Sequence, residues 1–170
     1  MSDTLTLYKL IILKMLSFLD HPLTNSQISE FILEKEYTNY FTLQQVLFEM
    51  EETRLVTKSN SHNSSLYHIT DAGKDTLHYF GNKISDAICQ DIQDYLKKND
   101  VEIRESFLTT ADYYPGTAED YLVRCQVREQ NSTLIDLTLS VPSEKQAASM
   151  CNHWKGKSQE IYAYLMQQLL

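Results

Sequence analysis

A short strand that passes directly into a helix is the feature that most constrains the fold of this chain. Residues 66–69 are aromatic and β-branched, which favours a strand. Thr70 or Asp71 can cap a helix that begins at once, because each offers an oxygen to free backbone N–H groups. Residues 55–58 have the composition of a second strand, and the small or polar residues 59–65 between them predict a hairpin with a solvated tip.

Three amphipathic helices are predicted before this hairpin. Residues 4–19 carry apolar side chains at helical spacing. Thr24 with Gln27 has the spacing of a capping box at the start of the second helix, and Thr42 with Gln45 repeats it for the third. The side chains predicted to face the core from the third helix are Val46, Leu47 and Met50.

The order helix, helix, helix, hairpin, helix is that of a winged helix. The pattern Tyr-x-Ile-Thr-x-x-Gly-x-x-x-Leu in residues 67–77 resembles the exit of the wing in bacterial regulators of the PadR and MarR types. Residues 47–56 resemble the segment that closes the recognition helix in PadR-like proteins, with Arg54 where that family prefers glycine. We expect the helix to end differently here, because arginine takes the left-handed conformation only at some cost.

The second half of the chain predicts a different architecture. Residues 71–98 have the pattern of one long amphipathic helix, with a bend or break near Gly81. Strands are predicted at 101–109, 121–127 and 135–141, with a turn at 113–116. A last helix follows to the C-terminus. We therefore expect an α+β protein: a winged-helix, DNA-binding-like domain over residues 1–82, and over residues 83–170 a three-stranded antiparallel meander with a long C-terminal helix.

The complete layout is similar to an uncharacterised family of winged-helix proteins from Firmicutes whose function is unknown. Residues 31–45 carry most of that likeness. The resemblance implies the fold and a DNA-binding role, but no characterised activity.

Composition limits the partners of the chain. The formal net charge is −8, and neither half is basic, whereas nucleic-acid binders usually are. No apolar run is long enough to span a membrane and no signal-peptide pattern is present, so we expect a cytoplasmic protein with no membrane partner. The three cysteines form no CxxC pair and the four glycines form no phosphate loop. We expect no enzyme activity, no metal site and no cofactor.

A role in transcription regulation is implied by the resemblance, with double-stranded DNA as the expected partner. The third helix of such a fold enters the major groove, where Gln can bond adenine and Thr can contact phosphate or a thymine methyl group. The residues predicted to contact DNA are Lys35, Asn39, Tyr40, Thr42, Gln44, Gln45, Phe48 and Lys58. The alternative is a winged-helix adaptor that binds a basic protein and no DNA. The surface around Gln44 and Gln45 separates the two hypotheses.

A homodimer is also predicted, because a three-stranded meander offers little surface to cover two apolar helix stripes. One stripe comprises Ile84, Ile88, Ile92 and Leu96; the other comprises Trp154, Ile161, Leu165 and Leu169. The alternative is that the two helices pair within one chain. The second domain also has aromatic residues for a small-molecule effector pocket, although such residues more often form a core. They are Tyr113, Tyr114, Tyr121 and Trp154.

Overall fold

The computed structural model describes residues 3–60, 64–129 and 132–170. Its contacts divide the chain into two compact units, one ending at Ile103 and the other beginning at Arg104. The protein is of the mixed α+β class, as predicted, with two small antiparallel sheets and a long C-terminal helix.

The first unit consists of helices around a small sheet. Its elements are α1 (Asp3–Ser17), β1 (Leu23–Thr24), α2 (Asn25–Glu34), α3 (Tyr40–Glu52), β2 (Val56–Asn60), β3 (Ser65–Ile69), α4 (Asp71–Phe80), a 3₁₀ turn (Gly81–Lys83) and α5 (Asp86–Lys98). The sheet order is β1-β3-β2, and both pairings are antiparallel. Residues 61–63 of the predicted hairpin tip lie outside the described residues.

Helix α1 lies at the centre of this unit. It is apolar around most of its circumference, which is typical of a helix surrounded by other elements. Its fully buried side chains are Leu10, Ile11, Ile12, Leu13, Met15 and Leu16. Helix α5 joins the same core through Ile92 and Leu96. The Tyr95 hydroxyl of α5 also donates to the Gln27 carbonyl oxygen (3.0 Å), so α5 belongs to the first unit.

The two predicted capping boxes have different outcomes. The box at α2 is confirmed, since Thr24 Oγ1 accepts from the Gln27 N–H (3.1 Å) and Gln27 Oε1 accepts from the Thr24 N–H (2.9 Å). The box at Thr42 is wrong. Helix α3 begins earlier, because Asn39 is an equally good cap and its Oδ1 accepts from the Thr42 N–H (2.9 Å).

The end of α3 also differs from the expectation. Arg54 adopts the left-handed conformation that the sequence argued against, with φ of 59°. The Leu55 N–H donates to the Met50 carbonyl oxygen (2.9 Å), and this is the bond of a Schellman motif. The helix therefore ends at this point in spite of the backbone strain of a non-glycine residue in the left-handed conformation.

The predicted 71–98 helix is interrupted where the sequence suggested a break. Helix α4 ends at Phe80, the 3₁₀ turn follows, and Ser85 caps α5 by accepting from the Ile88 N–H (3.3 Å). The two helices therefore have separate starts, each with its own side-chain cap.

The second unit is an antiparallel meander covered by one helix. Its elements are β4 (Thr109–Pro115), β5 (Tyr121–Glu129), β6 (Ser132–Val141) and α7 (Glu144–Leu169), in the sheet order β4-β5-β6. The buried side chains of this unit are Val123, Cys125, Ile135, Ala147, Cys151 and Trp154. Burial raises the pKa of the Cys125 thiol and, with Cys125 nearby, that of Cys151 to about 11. Both thiols therefore stay protonated at neutral pH.

The strand predicted at 101–109 is wrong. Residues 100–108 form helix α6 (Asp100–Leu108), which crosses the boundary between the units. Asp100 and Glu102 lie in the first turn of this helix, where the positive end of the helix dipole stabilises their negative charges. The imperfect alternation of apolar and polar residues gave a strand little support. The first strand lies later and includes residues 113–115 of the predicted turn. Tyr113 and Tyr114 favour a strand, and Pro115 is tolerated as its last, edge residue.

Two Gly→Ala substitutions should have opposite effects on stability. A Cβ on Gly73 would overlap the Leu55 carbonyl oxygen and lie 2.9 Å from Cγ1 of Ile69, so Gly73→Ala should destabilise the first unit by about 1–3 kcal/mol. A Cβ on Gly156, inside α7, meets nothing within 4 Å, so Gly156→Ala should stabilise the helix by about 0.5–1 kcal/mol. Thermal unfolding followed by far-ultraviolet circular dichroism measures both, and equal shifts of the same sign would contradict this packing.

Candidate nucleic-acid interface

Helix α3 has one buried face and one exposed face. Val46, Leu47 and Met50 are buried as predicted, and Leu43 joins them. The exposed face carries three aromatic side chains: Tyr40 is 51% exposed, Phe41 84% and Phe48 63%. Phe41 was missed as a site residue, because the predicted cap at Thr42 placed it before the helix and not on the exposed face of the helix.

Gln44 is not a free amide on this face. Its Oε1 accepts from Asn25 Nδ2 (2.8 Å), and its Nε2 donates to Asn25 Oδ1 (3.1 Å). The Ser29 hydroxyl donates to the same Asn25 oxygen (2.9 Å). This network joins α2 to α3. Asn25 was not predicted as part of this network, and its only signal in the sequence is its position directly after the Thr24 cap.

Gln45 is the exposed amide of the helix, and it lies beside a carboxylate. Its Nε2 donates to Glu49 Oε1 (3.3 Å), and Glu49 Oε2 pairs with Lys9 Nζ (2.8 Å). The hydrogen bond and charge of Lys9 lower the pKa of Glu49, so this carboxylate stays ionised at neutral pH. Lys9 compensates its charge from the buried side of the helix.

The other residues predicted to contact DNA differ in the bonds that their side chains already make within the protein. Lys35 pairs with Asp91 (3.3 Å), whose pKa is lowered by a hydrogen bond from Tyr37 and by Lys35 itself. Asn39 uses its side-chain oxygen to cap α3. Lys58 is exposed on β2, in the hairpin that follows α3. The predicted residues therefore occupy α3, the segment before it and the adjacent hairpin.

Most of the apolar stripe residues predicted to form a homodimer, and of the aromatic residues considered for an effector pocket, pack in the cores of the two units. Ile92 and Leu96 are buried in the first unit and Ile88 packs against them, so this stripe is not exposed to a second copy as expected. Trp154 is buried, and its Nε1 donates to the Gln126 carbonyl oxygen (3.1 Å). Tyr113 donates to Glu144 (3.1 Å), whereas the Tyr114 side chain is exposed.

These observations define a mixed α+β protein with a helical first unit and a meander covered by a long helix. The chain matches the family described as a domain of unknown function (DUF4364) over residues 8–169, and it belongs to that family. No curated protein and no solved structure matches it. Within the described part of the chain, no helix combines the length and apolarity needed to cross a membrane.

The amide pair between α2 and α3 predicts a measurable coupling. Asn25→Ala and Gln44→Ala should each destabilise the first unit by about 1 kcal/mol, since each leaves a partly buried amide without its partner. The double variant should cost less than the sum of the two. Gln45→Ala, one residue along the same helix, is the control and should leave the unfolding midpoint nearly unchanged. Additive losses would show that the amides do not interact.

Proposed function

We propose that this protein is a DNA-binding transcriptional regulator with a winged-helix first unit. The observation that carries the proposal is the element order α1-β1-α2-α3-β2-β3, with the short β1 paired to β3 beside β2. In a winged helix, α3 is the recognition helix and the β2–β3 hairpin is the wing. The resemblance of residues 47–56 to PadR-like proteins, and of residues 67–77 to the PadR and MarR types, supports the same assignment.

The contacts of α3 change which residues we assign to DNA. Gln45 and Thr42 are the candidates for base edges, because Gln45 is exposed and Thr42 is partly so. The N-terminal end of α3, with Asn39 and Tyr40, is the candidate for a phosphate contact. Lys58 would meet phosphate from the wing. Gln44 is better assigned to holding α3 on α2, and Lys35 would first have to leave Asp91.

The charge of the chain sets the expected strength of binding. Phosphate neutralisation supplies most of the affinity of DNA-binding proteins, and the net charge here is −8. Glu51 and Glu52 at the end of α3 add local repulsion. We therefore expect weak binding by one copy and tighter binding only where base contacts or a second copy add to it.

A selection from random duplexes tests this function directly. The full-length protein is mixed with a random DNA pool at low salt, and the enriched site is then used for titrations. Gln45→Ala should weaken binding to that site by about 1–3 kcal/mol, because it removes a base contact, and should change binding to random DNA little. Lys58→Ala should weaken both and reduce the salt slope by about one.

The matched control is Gln93→Ala, which removes another exposed glutamine, from α5. Its affinity should equal that of wild type. Failure to enrich any sequence, together with no binding at low salt, would refute DNA binding. Equal losses for the Gln45 and Gln93 variants would refute the assignment of α3 as the reader.

A protein-interaction adaptor is the second candidate, and the aromatic face of α3 favours it. Tyr40, Phe41 and Phe48 are exposed together on one helix, and exposed aromatic residues are enriched at protein interfaces. The neighbouring carboxylates of Glu51 and Glu52 would suit a basic partner.

The two candidates predict different results for one variant. Phe41→Ala with Phe48→Ala should abolish capture of a protein partner, since it removes the aromatic anchors of that surface. The same double variant should reduce DNA affinity by less than the Gln45→Ala variant does if α3 reads bases. The measurements are DNA titration and affinity capture by the purified full-length chain, with the Gln93→Ala variant as control. A DNA loss larger than that of Gln45→Ala would contradict the base-reading role given to Gln45.

A further inference from the structure

We propose that the outer edge of β6 pairs with β6 of a second copy, so that two meanders form one continuous antiparallel sheet. Strand β6 (Ser132–Val141) is hydrogen-bonded to β5 on one side. In the part of the chain that the structure describes, no strand lies on its other side. The inference concerns an interface that DNA binding does not require, and it stands or falls independently of the proposed function.

The edge of β6 has few of the devices that usually protect such a strand. Soluble proteins keep exposed edges short or place lysine, proline or a bulge in them. Strand β6 has ten residues, and its sequence STLIDLTLSV contains no lysine, arginine or proline. A bulge is present only near its start, opposite residues 127 and 128 of β5. The other edge strand, β4, ends in Pro115.

One face of β6 is apolar and incompletely covered. Ile135, Leu137 and Leu139 lie opposite Val127, Cys125 and Val123 of β5, and therefore share the face that carries the buried core. Helix α7 packs mainly on β4 and β5. Ile135 is buried but Leu139 is 45% exposed, although Val123 directly opposite it is fully buried. An apolar strand on the partner would cover this side chain.

The sequence of β6 suits a copy of itself. In an antiparallel pair about a two-fold axis normal to the sheet, residues on the same face meet. A register centred on Leu137 places Ile135 opposite the partner's Leu139, and one centred on Thr138 places Leu137 opposite it. In both registers Asp136, the only charged residue of β6, lies opposite a hydroxyl residue. A register centred on Asp136 would oppose two carboxylates and is disfavoured.

Asp136 is also neutralised within its own chain. Arg124 Nε and Nη2 donate to its two oxygens (3.0 and 2.7 Å), and Gln126 Nε2 donates as well (3.2 Å). The pairing would therefore bring no uncompensated charge to the seam. Because the contact is two-fold, it closes on itself and would not propagate into a fibre.

The mass of the chain in solution, measured without DNA, tests the proposal. Sedimentation equilibrium of wild type at micromolar concentration should give about twice the 19.8 kDa of one chain. Leu139→Lys should raise the dimer dissociation constant by at least about tenfold, because the dimer would bury two added charges in an apolar seam. Leu33→Lys is the matched control: this leucine is 38% exposed, lies on α2, and should leave the mass unchanged.

Amide hydrogen exchange keeps the test independent of any folding defect in the variant. In wild type, the amides of β6 should be protected at micromolar concentration and exchange faster on dilution, while those of β4 should not change. A monomer at micromolar concentration would overturn the proposal. A dimer that Leu139→Lys leaves intact, or that Leu33→Lys disrupts equally, would also overturn it, because the contact would then lie elsewhere or be unspecific.

Discussion

The hydroxyl of Thr70 joins the end of α3 to the start of α4, and the first unit depends on this connection. The hydroxyl donates to the Arg54 carbonyl oxygen (2.7 Å), with the Leu55 carbonyl oxygen at 3.0 Å, and accepts from the Gly73 N–H (3.0 Å). The Thr70 N–H donates to Leu55 as well (3.2 Å). One residue thus caps α4 and satisfies carbonyl groups released by the end of α3. It fixes where the β2–β3 hairpin leaves and re-enters the helices.

This connection explains two choices that local preferences oppose. Gly73 is required inside a helix because its Cα faces the Leu55 carbonyl oxygen, so the close approach excludes a side chain. Arg54 adopts φ of 59° because the chain must turn immediately into β2 and present its carbonyl group to Thr70. The strain at Arg54, about 1–2 kcal/mol for a non-glycine residue, is offset by these bonds.

Sequence reasoning succeeded where the signal was local and failed where two local signals competed or the partner was distant. The Thr24 box, the buried face of α3 and the break at Gly81 depend on residues within one or two turns, and they were predicted. Asn39 and Thr42 are both good caps three residues apart, so the sequence could not decide between them. The hydrogen bonds between Gln44 and Asn25 join two different helices, so the spacing of residues along the chain does not predict them. Residues 101–109 were assigned to a strand on an imperfect apolar–polar alternation, and the acidic residues that favour the first turn of α6 did not enter that prediction.

The charge distribution bears directly on the DNA binding that we propose. Lys9, Lys35 and Arg124 are held by Glu49, Asp91 and Asp136, so each would have to exchange an internal partner for a phosphate. Exchange of one anion for another gains little free energy, and a net charge of −8 repels the backbone at long range. Binding to arbitrary DNA should therefore be weaker than for a basic regulator. Contacts to base edges then contribute a larger share of the total, and two linked copies multiply that share through their effective concentration. The electrostatic loss is independent of sequence, so it lowers the affinity for a specific site and for competing genomic sites alike, and the ratio between them would depend on the base contacts.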